Sequence, residues 1–104
     1  MASTIHVWDD EYGQSIVART YLATISTASA INLVFRQVGS TSTATLTAAA
    51  VSGDTTYRAV TGTITSGWLT NKAGTWTGQV EATFATSKFY SEPFTLVVEQ
   101  RPSE

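Results

Sequence analysis

The chain has 104 residues, 42% of them hydrophobic and 11% aromatic, which is enough for one folded domain and excludes intrinsic disorder. Only 13% of the residues are charged and the net charge is −2, so the chain has no electrostatic footprint for nucleic acid. With no cysteine, it has no disulfide, zinc–thiolate site or thiol catalysis.

The domain is expected to span residues 1–104, with 101–104 as a frayed tail. No apolar stretch approaches the roughly 18 residues of a membrane span. The start Met1-Ala2-Ser3-Thr4 lacks a charged region followed by an apolar one. The sequence therefore predicts neither a membrane span nor a secretory signal.

Apolar and polar residues alternate with period two along most of the chain, and turn signals interrupt them at the spacing of a sandwich or barrel. In chain order, the pattern predicts strands at 5–7, 16–22, 31–35, 43–51, 57–61, 75–84 and 89–99. The segment 43–51 could also form a helical turn through its alanines, but its threonines favour a strand. Residues 66–71 are predicted to form a single helical turn. The prediction is an all-β fold of about seven antiparallel strands.

The clearest strand runs from Thr75 to Phe84. Its inward register carries Trp76, Val80 and Phe84, which we expect to be buried against Phe94, Leu96 and the strand at 31–35. Pro93 interrupts the last strand, because proline cannot donate to a ladder, so this segment is expected to bend or to lie at an edge.

Two parts of the sequence resemble a phage domain family. Residues 73–84 and 91–98 contain an Ala-Gly-Thr-Trp corner, an alternating strand and a Ser-Glu-Pro-Phe step. They resemble the end of the immunoglobulin-like N-terminal domain of phage baseplate upper proteins and related virion proteins. Residues 30–36 resemble the family's early strand, which ends in Phe-Arg. The resemblance implies an immunoglobulin-like β-sandwich with a structural, non-enzymatic role in a virion assembled in the host cytoplasm.

Members of that family usually continue into a longer baseplate or fibre protein, whereas this sequence covers one domain. The difference favours a capsid decoration (cement) protein, an adaptor, or a small tail or baseplate component. The implied partners are capsid, tail or baseplate subunits and further copies of the chain, with no nucleic acid, membrane or cofactor.

Residues 72–78 align with the Asp-x-Gly-x-Tyr-x-Cys corner that leads into strand F of immunoglobulin domains. Trp76 replaces the tyrosine and Gly78 the cysteine, so we expect neither a tyrosine corner nor a disulfide there. Gly74 is expected to take a positive φ angle.

The expected interface combines loop and turn side chains with a sparsely charged strand face. Trp68, Leu69 and Tyr90 are the expected anchors, because side chains in loops and turns are free to protrude. Thr77 and Gln79 belong to the outward register beside them, which contains a single charge, on Glu81.

A carbohydrate-binding module is the alternative function, since the chain has three tryptophans and four tyrosines. Trp76 belongs to the inward register, and Trp68 is expected to cover the end of the sandwich as a lid. Trp8 could be exposed, but a single exposed tryptophan does not make a sugar platform.

Residues with catalytic or metal-binding side chains are few. His6 alternates with Ile5 and Val7, so it is expected to face solvent on a strand rather than to act as a base. Asp9, Asp10 and Glu11 could offer oxygen ligands to calcium, but consecutive side chains rarely converge, and a solvated loop is the favoured interpretation. We expect no enzyme activity, no catalytic residue, no metal site and no cofactor.

Overall fold

The computed structural model describes residues 4–100, and strands dominate its regular structure. The strands are β1 (Thr4–Trp8), β2 (Ser15–Arg19), β3 (Ala30–Gln37), β4 (Thr43–Thr47), β5 (Ala49–Ala50), β6 (Ala59–Thr63), β7 (Gly74–Thr83), β8 (Lys88–Tyr90) and β9 (Phe94–Glu99). Within this range, a 3-10 turn at Ile25–Thr27 precedes β3. The predicted C-terminal tail lies outside the described residues.

The strands form two sheets. The large sheet has the order β1-β9-β7-β3-β4, with β8 beside β7, and the small sheet has the order β2-β6-β5. This is the arrangement of an immunoglobulin-like sandwich, in which strands B, E and D face strands G, F and C. The predicted all-β sandwich is therefore confirmed. One detail of the prediction is wrong, because β1 pairs with β9 in parallel rather than antiparallel.

The described residues contain nine strands rather than about seven, because two predicted strands are divided. The segment 43–51 contributes β4 to the large sheet and β5 to the small sheet. The segment 89–99 is broken before Pro93. At the break, Ser91 bonds to Val80 of β7 through its backbone N–H at 3.1 Å and accepts the Val80 N–H on its Oγ at 2.9 Å.

Two other predicted boundaries differ for a backbone reason. β2 ends at Arg19, three residues earlier than predicted, and β6 spans Ala59–Thr63, two residues further along the chain than the predicted 57–61. Tyr21 and Arg58, beside these ends, have φ angles of 54° and 50°, which extended strands do not adopt. The predicted helical turn at 66–71 is a series of turns, in which backbone N–H groups such as that of Trp68 bond three residues back.

The core lies between the sheets and follows the predicted alternation of β7. Trp76, Gly78, Val80 and Ala82 are buried, whereas the intervening residues face outward. Phe84 is only partly buried, because it lies just past the end of β7.

Gly78 leaves room for two aromatic rings. Phe35 and Phe94 pack edge to face with centroids 5.7 Å apart, and a Cβ on Gly78 would lie 2.7 Å from an atom of each ring. A close aromatic pair thus fills the space beside the position at which immunoglobulin domains have their second cysteine.

A glycine and a tryptophan shape the corner before β7. Gly74 has a φ angle of 131°, which confirms the predicted positive value. As the sequence indicates, no tyrosine stands at this corner, and the Trp76 indole N–H donates to the Lys72 carbonyl at 2.8 Å. Tryptophan makes the backward bond to the chain that tyrosine makes in immunoglobulin domains.

Candidate functional site

The large sheet has six strands against three in the small sheet, and threonines are frequent on its outer face. Backbone register aligns Thr4, Thr95, Thr77, Arg36 and Thr43 in one row across five strands. Neighbouring strands lie about 4.8 Å apart, so this row spans roughly 19 Å. We call the row and the outward side chains of β3, β4, β7 and β9 around it the threonine face.

A shallow groove of about 550 Å³ crosses the threonine face between β3, β4 and β7. Val34 and Arg36 of β3, Thr43 of β4, and Thr77 and Gln79 of β7 are among its lining residues. Two residues predicted for the interface, Thr77 and Gln79, therefore lie side by side in one depression.

The side chains in this groove differ in mobility. Gln79 is half-buried, and its Nε2 donates to the Ser91 carbonyl at 2.9 Å. Thr77 is exposed and β-branched, so its side chain has few rotamers to lose on binding. The groove thus presents a largely preorganised surface.

Apart from Arg36, the charged side chains described on this face lie toward its ends. At one end, Glu81 accepts a hydrogen bond from the Tyr90 hydroxyl at 3.2 Å and lies 4.0 Å from Lys88 Nζ. At another, His6 Nδ1 lies 3.5 Å from a carboxylate oxygen of Glu99. Exposed pairs of this kind contribute little to stability, so their main effect is to frame the less charged centre.

Of the three predicted anchors, only Tyr90 protrudes from the surface, with 51% of it exposed. Leu69 is fully buried in the core, so its prediction as an interface anchor is wrong. The turns at 66–71 bring it inward, and sequence alternation could not reveal this because the segment has no period.

Trp68 forms the predicted lid rather than an anchor. Its ring packs edge to face on Phe35 at 5.7 Å, and Lys72 Nζ lies 4.9 Å from the ring centroid. Its indole N–H donates to the Thr45 carbonyl at 3.1 Å. The contacts with Phe35 and Thr45 attach the lid to β3 and β4.

The tryptophans do not form a sugar platform. Trp76 is buried and Trp68 is partly buried, while Trp8 is 40% exposed. Tyr21 and Tyr57 form an exposed pair that sequence analysis missed, but their rings meet at 78° and so do not present two coplanar faces. Stacking on a sugar would therefore depend on single rings.

The position of His6 is as predicted, because it faces solvent on β1. In the acidic loop, a Glu11 carboxylate oxygen accepts the Trp8 backbone N–H at 2.8 Å, so this side chain caps the end of β1.

Within residues 4–100, no three His, Asp or Glu side chains are grouped in a way that could hold a metal ion. Over the same residues, no helix is long and apolar enough to span a bilayer.

Asp54 organises the turn that precedes β6. Its carboxylate accepts backbone N–H bonds from Thr56, Tyr57 and Ala59 at 3.0–3.2 Å. The pKa of Asp54 is lowered, chiefly by the hydrogen bond from the Tyr57 N–H. The bonds from Ala59 and Thr56 and the charge of Arg58 lower it further, whereas desolvation of the carboxylate opposes them. The Asp-Thr-Thr-Tyr sequence was a detectable signal, because aspartate commonly bonds to backbone N–H groups two or three residues on.

The turn places Tyr57 beneath Arg19, whose guanidinium lies 4.0 Å from the centroid of the tyrosine ring. Residues 19 and 57 are far apart in sequence, so no local motif could show this cluster.

Comparison with known proteins adds no assignment: no protein-family model matches the chain, and no curated protein matches it.

Proposed function

We propose that the protein is a non-enzymatic structural component of a phage particle, which binds other virion proteins through the threonine face. The observation that carries the proposal is the row of threonines around Arg36, together with the groove in which Thr77 and Gln79 meet β3 and β4.

The composition of this face suits a protein–protein interface. The centres of interfaces are depleted in Lys, Glu and Asp, whereas arginine is enriched there. Threonine hydroxyls both donate and accept hydrogen bonds, and their restricted rotamers reduce the entropy lost on binding. Arg36, the one charged residue of the row, can provide the directional contact that fixes the orientation of a partner.

The phage assignment is supported by the resemblance described from the sequence. The segments that carry it, 73–84 and 91–98, build the corner, all of β7 and nearly all of β9 in this fold. Part of the threonine face therefore comes from the segments that resemble the phage family. The proposed roles are capsid decoration, an adaptor, or a small tail or baseplate component, and each requires a surface that binds other virion proteins.

The test introduces one charge at the centre of the face. Thr77→Glu places a carboxylate in the groove, whereas Thr63→Glu places the same charge at an exposed strand position of the small sheet. Binding is measured by co-sedimentation with purified particles of the phage whose genome encodes the chain. The proposal expects wild type and Thr63→Glu to sediment with the particles, and Thr77→Glu to remain in the supernatant.

Three results would contradict the proposal. They are equal behaviour of both variants, failure of the wild-type protein to bind, and a gene located away from capsid and tail genes. Binding of the wild type to a glycan array, with loss of binding in Trp8→Ala, would support the carbohydrate-binding module instead.

A further inference from the structure

Of the five edge strands among the described residues, four are short or have their edges partly blocked. β5 has two residues, and β8, which pairs only with β7, has three. On β4, the Thr45 carbonyl accepts the Trp68 indole N–H, and on β1 the Trp8 N–H is bonded to Glu11. Such devices hinder the addition of another strand.

β2 is the fifth edge strand, and its outer edge can be traced through the small sheet. The Val51 N–H donates to the Ala59 carbonyl, so Ala59 turns its backbone groups toward the β5 side. Because these groups alternate in direction along a strand, Val60 and Gly62 face β2 and meet their register partners Ala18 and Ile16.

The same alternation determines which groups β2 leaves open. The backbone N–H and C=O groups of Ser15, Val17 and Arg19 point away from β6, toward an edge with which no other described strand pairs. All three residues are exposed, and β2 contains neither proline nor lysine to discourage pairing. Val17 is 56% exposed, which is a large fraction for an apolar side chain in a strand.

A groove of about 370 Å³ adjoins this edge. Ile5 of β1, Val17 and Arg19 of β2, Glu92, and Phe94 of β9 are among its lining residues, so its wall has both polar and apolar parts. The groove therefore lies where the two sheets part, and apolar side chains form part of its wall.

The end of β2 has a fixed positive charge. Arg19 lies over the Tyr57 ring, and Tyr57 is held in turn by the Asp54 carboxylate and by an edge-to-face contact with Tyr21 at 6.1 Å. Arg19 enters no ion pair with a described carboxylate. Its guanidinium can therefore bind a carboxylate from outside while it remains stacked on the tyrosine.

We propose that the edge of β2 accepts an extended strand from a partner protein, which extends the small sheet by one strand. The open backbone groups of Ser15, Val17 and Arg19 require an extended backbone as the occupant. The adjoining groove takes an apolar side chain of that strand, and Arg19 binds a carboxylate on it. The site lies apart from the threonine face and does not rest on the proposed function.

The test uses a short peptide that alternates valine and threonine and has glutamate at both ends. In ¹⁵N-edited NMR spectra, the peptide should shift the amide signals of Ser15, Val17 and Arg19 but not those of β4. Val17→Pro removes an N–H that points to the free edge and leaves the bonds to β6, so it should abolish binding. Thr45→Pro on the β4 edge is the matched control and should bind the peptide like the wild-type protein.

Charge reversal tests the role of Arg19 without altering the backbone. Arg19→Glu should weaken binding of the peptide about fivefold or more and improve binding of a counterpart that ends in lysine. This variant also keeps the proposal testable if Val17→Pro fails to fold.

Other outcomes would overturn the proposal. Shifts centred on β4, unchanged binding by both Val17→Pro and Arg19→Glu, or no binding at millimolar peptide would exclude a strand-addition site at β2. Self-association of the wild-type protein that Val17→Pro abolishes would show that the occupant is a second copy of the chain. Because Thr77→Glu does not alter β2, its effect on particle binding is independent of these results.

Discussion

The Trp76 indole N–H donates to the Lys72 carbonyl at 2.8 Å, across the corner at which the chain enters β7. The rest of the Trp76 side chain is buried in the core. The same residue therefore packs between the two sheets and holds the corner through its hydrogen bond. The Lys72 carbonyl, in the turn before β7, thus provides the acceptor that the buried indole N–H needs.

The first prediction separates the corner bond from the core packing. Trp76→Phe keeps an aromatic ring but removes the donor, so we expect it to lower the free energy of unfolding by about 1–2 kcal/mol. Trp76→Ala also leaves a cavity and should cost about 3–5 kcal/mol. Urea denaturation followed by circular dichroism measures both. A Trp76→Phe variant as stable as the wild type would show that the bond contributes nothing.

The second prediction concerns the space beside Gly78. Gly78→Ala should lower the free energy of unfolding by about 1–3 kcal/mol, because its Cβ would press on the rings of Phe35 and Phe94. Thr77→Ala, one residue away on the exposed face, should change it by less than about 0.5 kcal/mol. Equal stabilities of the two variants, measured by the same denaturation, would contradict the close approach of the rings.

The third prediction concerns the acid dependence of stability. The folded state lowers the pKa of Asp54 below its ordinary value of 3.8, so its carboxylate stabilises the fold at higher pH. This contribution is lost as the pH falls through the lowered pKa. The thermal midpoint of the wild type should therefore fall more steeply below about pH 4 than that of Asp54→Asn. Parallel profiles would show that the turn does not depend on the charge.

The fourth prediction concerns the lid on β4. Trp68→Phe keeps an aromatic ring on Phe35 but leaves the Thr45 carbonyl without its indole donor. We expect a loss of about 0.5–1.5 kcal/mol in unfolding free energy and more self-association, because an edge group becomes available for pairing. Light scattering over a range of protein concentrations measures the self-association, with Trp8→Phe as a control on another strand. A Trp68→Phe variant that stays monomeric would show that the indole does not protect this edge.

The predictable parts of the fold are those determined by local alternation. β7 shows this best, because its buried and exposed residues alternate as the sequence indicates along its whole length. The break before β9 followed from Pro93, which cannot donate to a ladder. Gly74 was likewise predictable, since a corner that needs a positive φ angle favours glycine.

The candidate sites were harder to predict from the sequence than the strands. Thr77 and Gln79 could be assigned to an outward face because they alternate with buried residues of their own strand. Leu69 could not be placed, because its burial depends on how a non-periodic segment folds over the end of the sandwich. The stacking of Arg19 on Tyr57 joins distant parts of the chain.

By itself, the sequence determined the fold class, the faces of the regular strands and the position of the corner, because steric preferences and period-two burial act between near neighbours. Only the tertiary structure decided that Trp76 completes the corner, that Trp68 covers the edge of β4 and that, among the described strands, β2 pairs with β6 alone. These features depend on pairings between strands that are distant in the chain, and the local pattern of residues does not specify which edges of a sandwich remain unpaired.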